Sequence, residues 1–145
     1  VFFVTDGCLR SFFIDRHGKE HTLHFAIRNN WISDYIAIHS NESATLTVEC
    51  LTESSIIEFD TEKIYGMLTM FPELEPFQRA NLERLFISLQ KRIINQLHLS
   101  AAERYDLFLE EYPDVEQHIP NYHIASYLGI TQESLSRIRA NKSRT

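Results

Sequence analysis

The period of the apolar residues changes at Asp60, and this change constrains the fold more than any other feature of the sequence. Before Asp60, aromatic and β-branched residues recur in short runs that turn-forming residues separate, which is typical of strands. After Asp60, Ile64, Met67 and Leu68 recur at helical spacing. The pattern therefore predicts an α+β chain in which a β part precedes a helical part.

Residues 1–59 predict about five strands of an all-β sandwich or barrel, with no helix among them. Three pairs of turn-forming residues divide this part: Asp6-Gly7, His17-Gly18 and Asn29-Asn30. An Asp-Gly link is typical of a hairpin turn whose twist matches its strands, so Asp6-Gly7 should join residues 1–5 to residues 8–14 as a β-hairpin. The last two strands are expected at residues 45–52 and 55–59.

A run without Gly or Pro, residues 77–99, follows Pro72 and Pro76 and predicts a long helix. Its apolar residues form a narrow, near-heptad stripe: Leu82, Leu85, Phe86, Leu89, Ile93 and Leu97. Such a stripe needs a partner, which could be the β part of the same chain or the same helix of a second copy. The near-heptad spacing favours a two-stranded coil.

The next helix is predicted to begin directly after the long one. Ser100 and Glu103 have the spacing of a capping box, and the residue before Pro113 should end the helix. Its apolar face carries Tyr105, Phe108, Leu109 and Tyr112.

The segment 118–140, HIPNYHIASYLGITQESLSRIRA, has the spacing of a helix-turn-helix. Asn121 is predicted to cap the first helix, and the small Ala125 lets two helices cross closely. Gly129 should take a left-handed conformation in the turn, where Ile130 fills the core. Thr131 should then cap a second helix whose Leu135 and Ile138 face inward.

The second helix is predicted to expose the residue types that bind base edges and phosphates. The candidate DNA-binding residues are Thr131, Gln132, Glu133, Ser134, Ser136, Arg137, Arg139 and Lys142. The chain has a net charge of −6, but residues 117–145 are locally basic because Arg137, Arg139, Lys142 and Arg144 face only Glu133. The alternative interpretation is a small helical hairpin with a solvated charged face.

Three stretches resemble the Crp/Fnr family of bacterial transcriptional regulators, along essentially the whole chain. IASYLGITQESLSRIR resembles the family's recognition motif, and ERYDLFLEEYPDVEQHIPNYH resembles the first DNA-domain helix and linker of Bacteroidetes-like members. VFFVTDGCLRSFFIDRHGKEHTLHFAIRNNWISDY resembles the glycine-turn strands of the family's cyclic-nucleotide-binding-type jelly roll. The family domain normally has a few dozen residues before the strand at Val1, so the chain is expected to lack the first strands. The chain is also expected to lack the wing hairpin that follows the recognition helix in many members.

The resemblance implies three parts: a partial jelly roll at residues 1–72, a dimerisation helix at residues 73–99, and a helix-turn-helix domain at residues 100–145. It implies a cytoplasmic homodimer that binds double-stranded DNA at an inverted repeat. Gln132, Glu133 and Arg137 occupy the family's base-reading positions. A contact with RNA polymerase is left open. The dimer helix would pair through Leu82, Leu85, Phe86, Leu89 and Ile93.

The family's cyclic-AMP binders carry Gly-Glu for the ribose and, about ten residues later, Arg-Ser for the phosphate. Alignment places Ser33 and Asp34 at the first pair and Ala44 and Thr45 at the second. The counter-charge of the phosphate is missing, and burying a phosphate without one is costly. We therefore expect no response to cyclic AMP, and the effector stays unidentified.

Other classes of function find little support in the sequence. Cys8 and Cys50 are too few for the family's four-cysteine iron–sulfur site. His21 and His24 lie three apart on a predicted strand, which puts them on opposite faces unless the strand is bulged. We therefore expect no metal, no cofactor and no enzyme activity, and no apolar run is long enough for a membrane helix. A sensor or interaction module that has lost DNA binding is the remaining alternative, and it would retain no duplex at low salt.

Overall fold

The structure is a computed structural model that describes residues 1–40 and 42–143. This part of the chain contains six short strands, seven α-helices and one 3-10 helix at Pro72–Leu74. The strands are β1 (Phe2–Asp6), β2 (Leu9–Ile14), β3 (Glu20–Ala26), β4 (Trp31–Ile32), β5 (Thr47–Cys50) and β6 (Ser55–Glu58). The helices are α1 (Tyr35–Ser40), α2 (Thr61–Met70), α3 (Glu75–His98), α4 (Ala101–Glu111), α5 (Val115–His118), α6 (Asn121–Leu128) and α7 (Gln132–Lys142). Asp60 caps α2, which confirms the change of period predicted there.

The strands form two three-stranded antiparallel sheets, ordered β4-β1-β6 and β3-β2-β5. Because β1 and β2 belong to different sheets, the hairpin predicted at Asp6-Gly7 is wrong, and this link carries the chain from one sheet to the other. Gly7 has a φ of +89°, and a Cβ there would lie 2.6 Å from the carbonyl oxygen of Glu53. The glycine is thus required by close approach to the turn between β5 and β6.

The other two predicted turns are present, and one helix was not expected. Gly18 (φ +77°) lies in the β2–β3 hairpin, and Asn29 (φ +67°) lies between β3 and β4. The six-residue α1 interrupts the part predicted to be all β. Its first turn is bound by Asp34, whose carboxylate accepts from the N–H groups of Ile36 and Ala37. A helix of six residues is too short to show a helical period in the sequence.

A bulge in β3 changes which residues share a face. Ser11 pairs with His24 while Phe12 pairs with Thr22, which leaves Leu23 between them without a partner on β2. His21 and His24 therefore lie opposite alternate residues of β2, on one face, and the prediction of opposite faces is wrong. Within the described residues, no three His, Cys, Asp or Glu side chains are grouped to hold a metal ion.

The sheets and the C-terminal helices share one hydrophobic core. Phe25 comes from β3 and Cys8 from the link between β1 and β2. The other members come from α4 to α7 and the residues that join them: Tyr105, Phe108, Tyr112, Val115, Ile119, Ile124, Ala125, Tyr127, Leu128 and Leu135. The apolar face predicted for α4 is therefore confirmed. The capping box is present as well, since the Ser100 N–H donates to the Glu103 carboxylate (2.8 Å) and the Glu103 N–H donates to the Ser100 hydroxyl (3.3 Å).

The 24-residue α3 lies against its own chain on one side and exposes apolar residues on the other. Leu85 and Leu89 are half-buried. Leu82, Phe86, Ile93 and Leu97 are exposed, Phe86 by 65% and Ile93 by 62%. The long helix is confirmed, and its predicted stripe divides into an inner pair and an outer row. No helix of the described residues is long and apolar enough to cross a membrane.

Candidate nucleic-acid interface

The α6–α7 pair forms from local signals that the sequence carries. Gly129 has a φ of +70° and ends α6, and the Ile130 N–H then donates to the Ala125 carbonyl (3.0 Å). Thr131 caps α7 by accepting from the Ser134 N–H at 3.2 Å. These features confirm the predicted roles of Gly129 and Thr131. The cap predicted at Asn121 is wrong, because Pro120 precedes the helix and the Asn121 side chain accepts from Arg139 instead.

Buried apolar side chains hold the pair together. Ile124 and Leu135 are fully buried. Ala125 is 2% exposed, and its small side chain lets α6 and α7 approach closely. Ile130 and Ile138 pack against the same core from its edge. The inward set predicted from the spacing is confirmed, and the face that α7 turns to solvent follows from it.

The solvent face of α7 carries Gln132, Glu133, Ser136 and Arg137. Residues at this spacing lie side by side on one face of a helix. The half-buried Ser134 lies beside them, and its hydroxyl accepts from the Arg137 guanidinium at 3.2 Å. Arg137 therefore lies along the first turn of α7, close to the helix N-terminus.

Glu133 stays ionised next to Arg137. Its own backbone N–H and the Thr131 hydroxyl bind the carboxylate, and with the nearby Arg137 charge they lower the pKa of this side chain. The first turn of α7 thus presents a negative and a positive group together. Such a pair suits base edges, where a carboxylate accepts from cytosine and a guanidinium donates to guanine, better than phosphates alone.

Arg139 faces the protein, contrary to the expectation that it projects outward. Its guanidinium lies 2.8 Å from the Glu116 carboxylate and donates to the Tyr105 hydroxyl (2.9 Å) and the Asn121 side chain (2.5 Å). Lys142 forms an ion pair with Asp106 of α4 and lies 5.4 Å from the Tyr105 ring centroid. The two cations therefore join α7 to α4, α5 and α6. Arg144 lies outside the described residues.

Arg92 of α3 joins the sheet to α6, a role that the sequence did not indicate. Its guanidinium donates to the carbonyls of Tyr127 (2.7 Å), Thr22 (3.0 Å) and Leu23. It also lies 4.1 Å above the Tyr127 ring. Burial lowers the pKa of Arg92, but the neighbouring tyrosines and Glu111 oppose that effect. One cation thus ties three elements that are far apart in the sequence.

Ser126 completes the contact between α6 and the edge strand β3. Its hydroxyl accepts from the Thr22 N–H (2.8 Å) and donates to the Glu20 carbonyl (2.9 Å). Together, Ser126 and Arg92 bind four backbone groups of β3: the Thr22 N–H and the carbonyls of Glu20, Thr22 and Leu23. The α6–α7 pair is therefore docked on the sheet by backbone contacts as well as by the shared core.

A buried arginine, Arg10, lies next to the contact between α6 and β3. Arg10 is 1% exposed and binds Glu49 (2.6 Å), Glu20 (2.5 Å) and the Thr22 hydroxyl (3.1 Å). His123 of α6 packs nearby, and burial together with the Arg10 charge lowers its pKa. His123 is therefore neutral at pH 7, which avoids a second positive charge beside Arg10.

Two of the predicted effector residues, Asp34 and Thr45, have structural roles. The Asp34 carboxylate accepts from the N–H groups of Thr45 (2.8 Å) and Leu46 (2.9 Å) as well as from α1. Burial raises the pKa of Asp34, but the bonds from Leu46, Ala37 and Thr45 outweigh it and the net shift is downward. Ser33 is half-buried, and Ala44 is exposed. Asp34 and Thr45 are brought together, with the carboxylate occupied by the protein's own backbone.

Comparison with known proteins relates this chain to solved structures of regulators. No known family profile and no curated protein matches the sequence. FixK2 from Bradyrhizobium japonicum has a TM-score of 0.82 at 17% identity, covering 97% of this chain and 72% of that one. A putative transcriptional regulator of the Crp/Fnr family from Eubacterium rectale has a TM-score of 0.75 at 19% identity, covering 99% and 69%.

A cyclic nucleotide-binding domain containing protein from Listeria monocytogenes has a TM-score of 0.71 at 18% identity, covering 97% of this chain and 71% of that one. At these identities the likeness concerns the fold. The chain has the fold of Crp/Fnr-type regulators and cyclic-nucleotide-binding proteins.

Proposed function

We propose that this chain is a DNA-binding transcriptional regulator of the Crp/Fnr type, acting as a homodimer in the bacterial cytoplasm. The observation that carries the proposal is the solvent face of α7, where Gln132, Glu133 and Arg137 lie together on a chain with this fold. Contact with RNA polymerase belongs to the same proposal.

In the proposed complex, α7 lies in the major groove and Gln132, Glu133 and Arg137 contact base edges. When Arg137 turns toward a base, it breaks one exposed hydrogen bond, to Ser134, so the movement costs little free energy. Thr131, Ser134 and Ser136 lie near the phosphates that flank these bases. Lys142 is half-exposed in its pair with Asp106, and such pairs open at small cost, so it can reach a phosphate.

In the proposed complex, Arg139 positions the recognition helix α7. Its contacts with Glu116, Tyr105 and Asn121 hold α7 at a set angle to α4 and α6. A rigid recognition helix loses less conformational entropy on binding than a loosely held one. The same inward contacts favour the second candidate, an effector-sensing or interaction module without DNA binding, because they leave fewer free cations on α7.

The proposed dimer forms through the outer row of α3: Leu82, Phe86, Ile93 and Leu97. These side chains gain burial against the same helix of a second copy, whereas Leu85 and Leu89 are already half-buried against their own chain. A two-fold axis along α3 would present two α7 helices to successive major grooves about 34 Å apart. The operator is therefore proposed to be an inverted repeat.

Selection of bound duplexes from a random pool tests the proposal. We expect retained duplexes at low salt to share an inverted repeat whose half-sites lie about one helical turn apart. A chain that retains no duplex at low salt is the sensor or interaction module instead. Retention without any shared sequence would contradict base reading by α7.

Substitution of Arg137 and Lys142 should separate base reading from phosphate binding. Arg137→Ala is expected to cost about 1–3 kcal/mol per half-site on the selected operator and to relax the preference at one base pair. Lys142→Ala should weaken the operator and a scrambled duplex alike and flatten the salt dependence of binding. Fluorescence anisotropy with both duplexes measures these effects. Equal losses on the two duplexes for Arg137→Ala would show that it binds only the backbone.

Cyclic AMP is expected to leave the melting temperature unchanged. A ligand present at a hundred times its dissociation constant stabilises a protein by about 2.7 kcal/mol, which a thermal melt detects. We expect no such shift with millimolar cyclic AMP, because Ala44 supplies no cation and the Asp34 carboxylate is already bound by backbone N–H groups. A clear upward shift would mean that another residue holds the phosphate.

A further inference from the structure

A groove of about 500 Å³ lies among the helices, between α3, α4 and the C-terminal end of α6. Four polar side chains of α3 line it at a spacing of four, three and four residues, which puts them on one face of the helix: Arg84, Ser88, Lys91 and Asn95. At about 100° per residue, this face lies opposite the outer row that contains Phe86 and Ile93. A second copy bound to the outer row would therefore leave the groove open.

The groove brings together cations that have no acidic partner. Four of its lining residues carry a positive charge: Arg84, Lys91, Arg92 and Arg104. Within residues 1–40 and 42–143, none of these four forms an ion pair with a carboxylate. The carboxylates in the lining belong to Glu110 and Glu111, so the cations outnumber them by two. The groove is therefore locally positive, although the chain has a net charge of −6.

Arg104 of α4 is held in the groove by groups that leave its charge unbalanced. Its guanidinium donates to the carbonyls of Leu99 (2.7 Å) and Leu128 (3.2 Å). Its Nε is buried and has no hydrogen-bond partner among the described residues, and a buried donor without an acceptor is costly. Carbonyl oxygens carry partial charges, so they do not neutralise a guanidinium. Arg104 can therefore gain from the counter-charge of an anion in the groove.

An apolar wall stands beside these cations. Ile87 of α3 and Leu107 of α4 line the groove and are 49% and 38% exposed, and three side chains of the core complete the wall: Phe108, Tyr127 and Leu128. A ligand for this groove therefore needs an apolar body as well as a negative charge. Several negative charges are disfavoured, because Glu110 and Glu111 would repel them.

We propose that the groove is a binding site for a small monocarboxylate with an apolar body. The carboxylate binds the cations through charge-assisted hydrogen bonds, and the apolar body packs on Ile87 and Leu107. The volume of the groove lies within the range of roughly 300–1,000 Å³ that ligand sites occupy. The site goes beyond the proposed function, since it uses neither the solvent face of α7 nor the outer row of α3.

Two probes of the same shape and different charge test the proposal. 2-Naphthoate carries a carboxylate on an apolar ring system, and 2-naphthamide replaces that carboxylate with a neutral amide. We expect 2-naphthoate to bind saturably, with one site per chain, in isothermal titration calorimetry without duplex. The amide should bind at least about tenfold more weakly, because it gives the cations no counter-charge.

A matched pair of substitutions on α3 tests the cations. Arg84 also lines a second cavity, between the β part and α3, whereas Lys91 lines only the groove. Lys91→Met should raise the dissociation constant of 2-naphthoate at least about threefold, because an exposed cation contributes modestly to an ion pair. Arg79→Met removes an exposed cation of the same helix outside the groove and should leave the dissociation constant unchanged.

A second matched pair, on α4, tests the apolar wall. Leu107→Glu replaces an apolar contact with a charge that repels a carboxylate, and the dissociation constant of 2-naphthoate should rise at least about tenfold. Ala102→Glu adds the same charge to an exposed position of the same helix outside the groove, and binding should not change. Because Leu107 and Ala102 are both exposed, we expect both variants to fold, which circular dichroism checks.

Four outcomes would overturn the site: no saturable binding of 2-naphthoate, equal binding of the amide, a Lys91 variant that binds as the unchanged chain does, or equal effects of the two α4 substitutions. None of these measurements contains DNA. A chain that fails to retain duplex therefore leaves the groove standing, and a chain that does not bind 2-naphthoate leaves the proposed regulator standing.

Discussion

Phe86→Glu combined with Ile93→Glu should give monomers under conditions where the unchanged chain is a dimer. Both side chains are largely exposed on the outer row of α3, and a two-fold axis would bury both from each copy. Each buried side chain of this size contributes roughly 1.5–3 kcal/mol, and charges at the seam also repel. The loss is at least about 6 kcal/mol, which raises the dissociation constant about 10⁴-fold. Light scattering coupled to size-exclusion chromatography measures it.

Ile87→Glu combined with Ile94→Glu is the matched control. Ile87 directly follows Phe86, and Ile94 directly follows Ile93 on the same helix. They are 49% and 51% exposed and lie outside the stripe. The control should remain dimeric. A folded Phe86/Ile93 double variant that is still a dimer would contradict the seam. Monomers from both double variants would show that charge anywhere on α3 disrupts association.

Arg92→Met should destabilise the fold by about 3–5 kcal/mol, because three carbonyls on β3 and α6 lose a charged donor. The stacking of the guanidinium on Tyr127 is lost as well. We expect the melting temperature to fall by roughly 10 °C, as measured by circular dichroism. Methionine keeps the length of the side chain, so the change reports mainly on the polar contacts.

Lys91→Met is the neighbouring control for Arg92. Lys91 is an exposed cation on the same helix, and its replacement should change stability by no more than about 0.5 kcal/mol. Hydrogen exchange at the Thr22 amide, which donates to Ser126, should accelerate in the Arg92 variant and not in the control. Similar melts for the two variants would mean that Arg92 does not hold α6 to the sheet.

The features predicted correctly from the sequence depend on a few neighbouring residues. The Thr131 cap, the capping box of Ser100 and the left-handed Gly129 each need atoms within three or four residues. The inward position of Leu135 follows from helical spacing alone. Local chemistry of this kind leaves a readable pattern in the chain.

The features that were wrong or missed depend on distant partners. Asp6-Gly7 has hairpin chemistry, yet β1 and β2 pair in different sheets, because the choice of strand partner is made across the whole β part. The bulge at Leu23 reversed the faces expected for His21 and His24. No local pattern marks either feature.

The same distinction between neighbouring and distant partners applies to the candidate DNA interface. By itself the sequence determined that a second helix follows a glycine turn and that Gln132, Glu133, Ser136 and Arg137 share its open face, because caps and periodicity act within a few residues. Only the tertiary structure decided that Arg139 turns inward to Glu116 and that Arg92 ties α6 to the edge of β3. A long cation binds whichever acceptors the fold brings near it, and those acceptors lie up to 70 residues away in the chain.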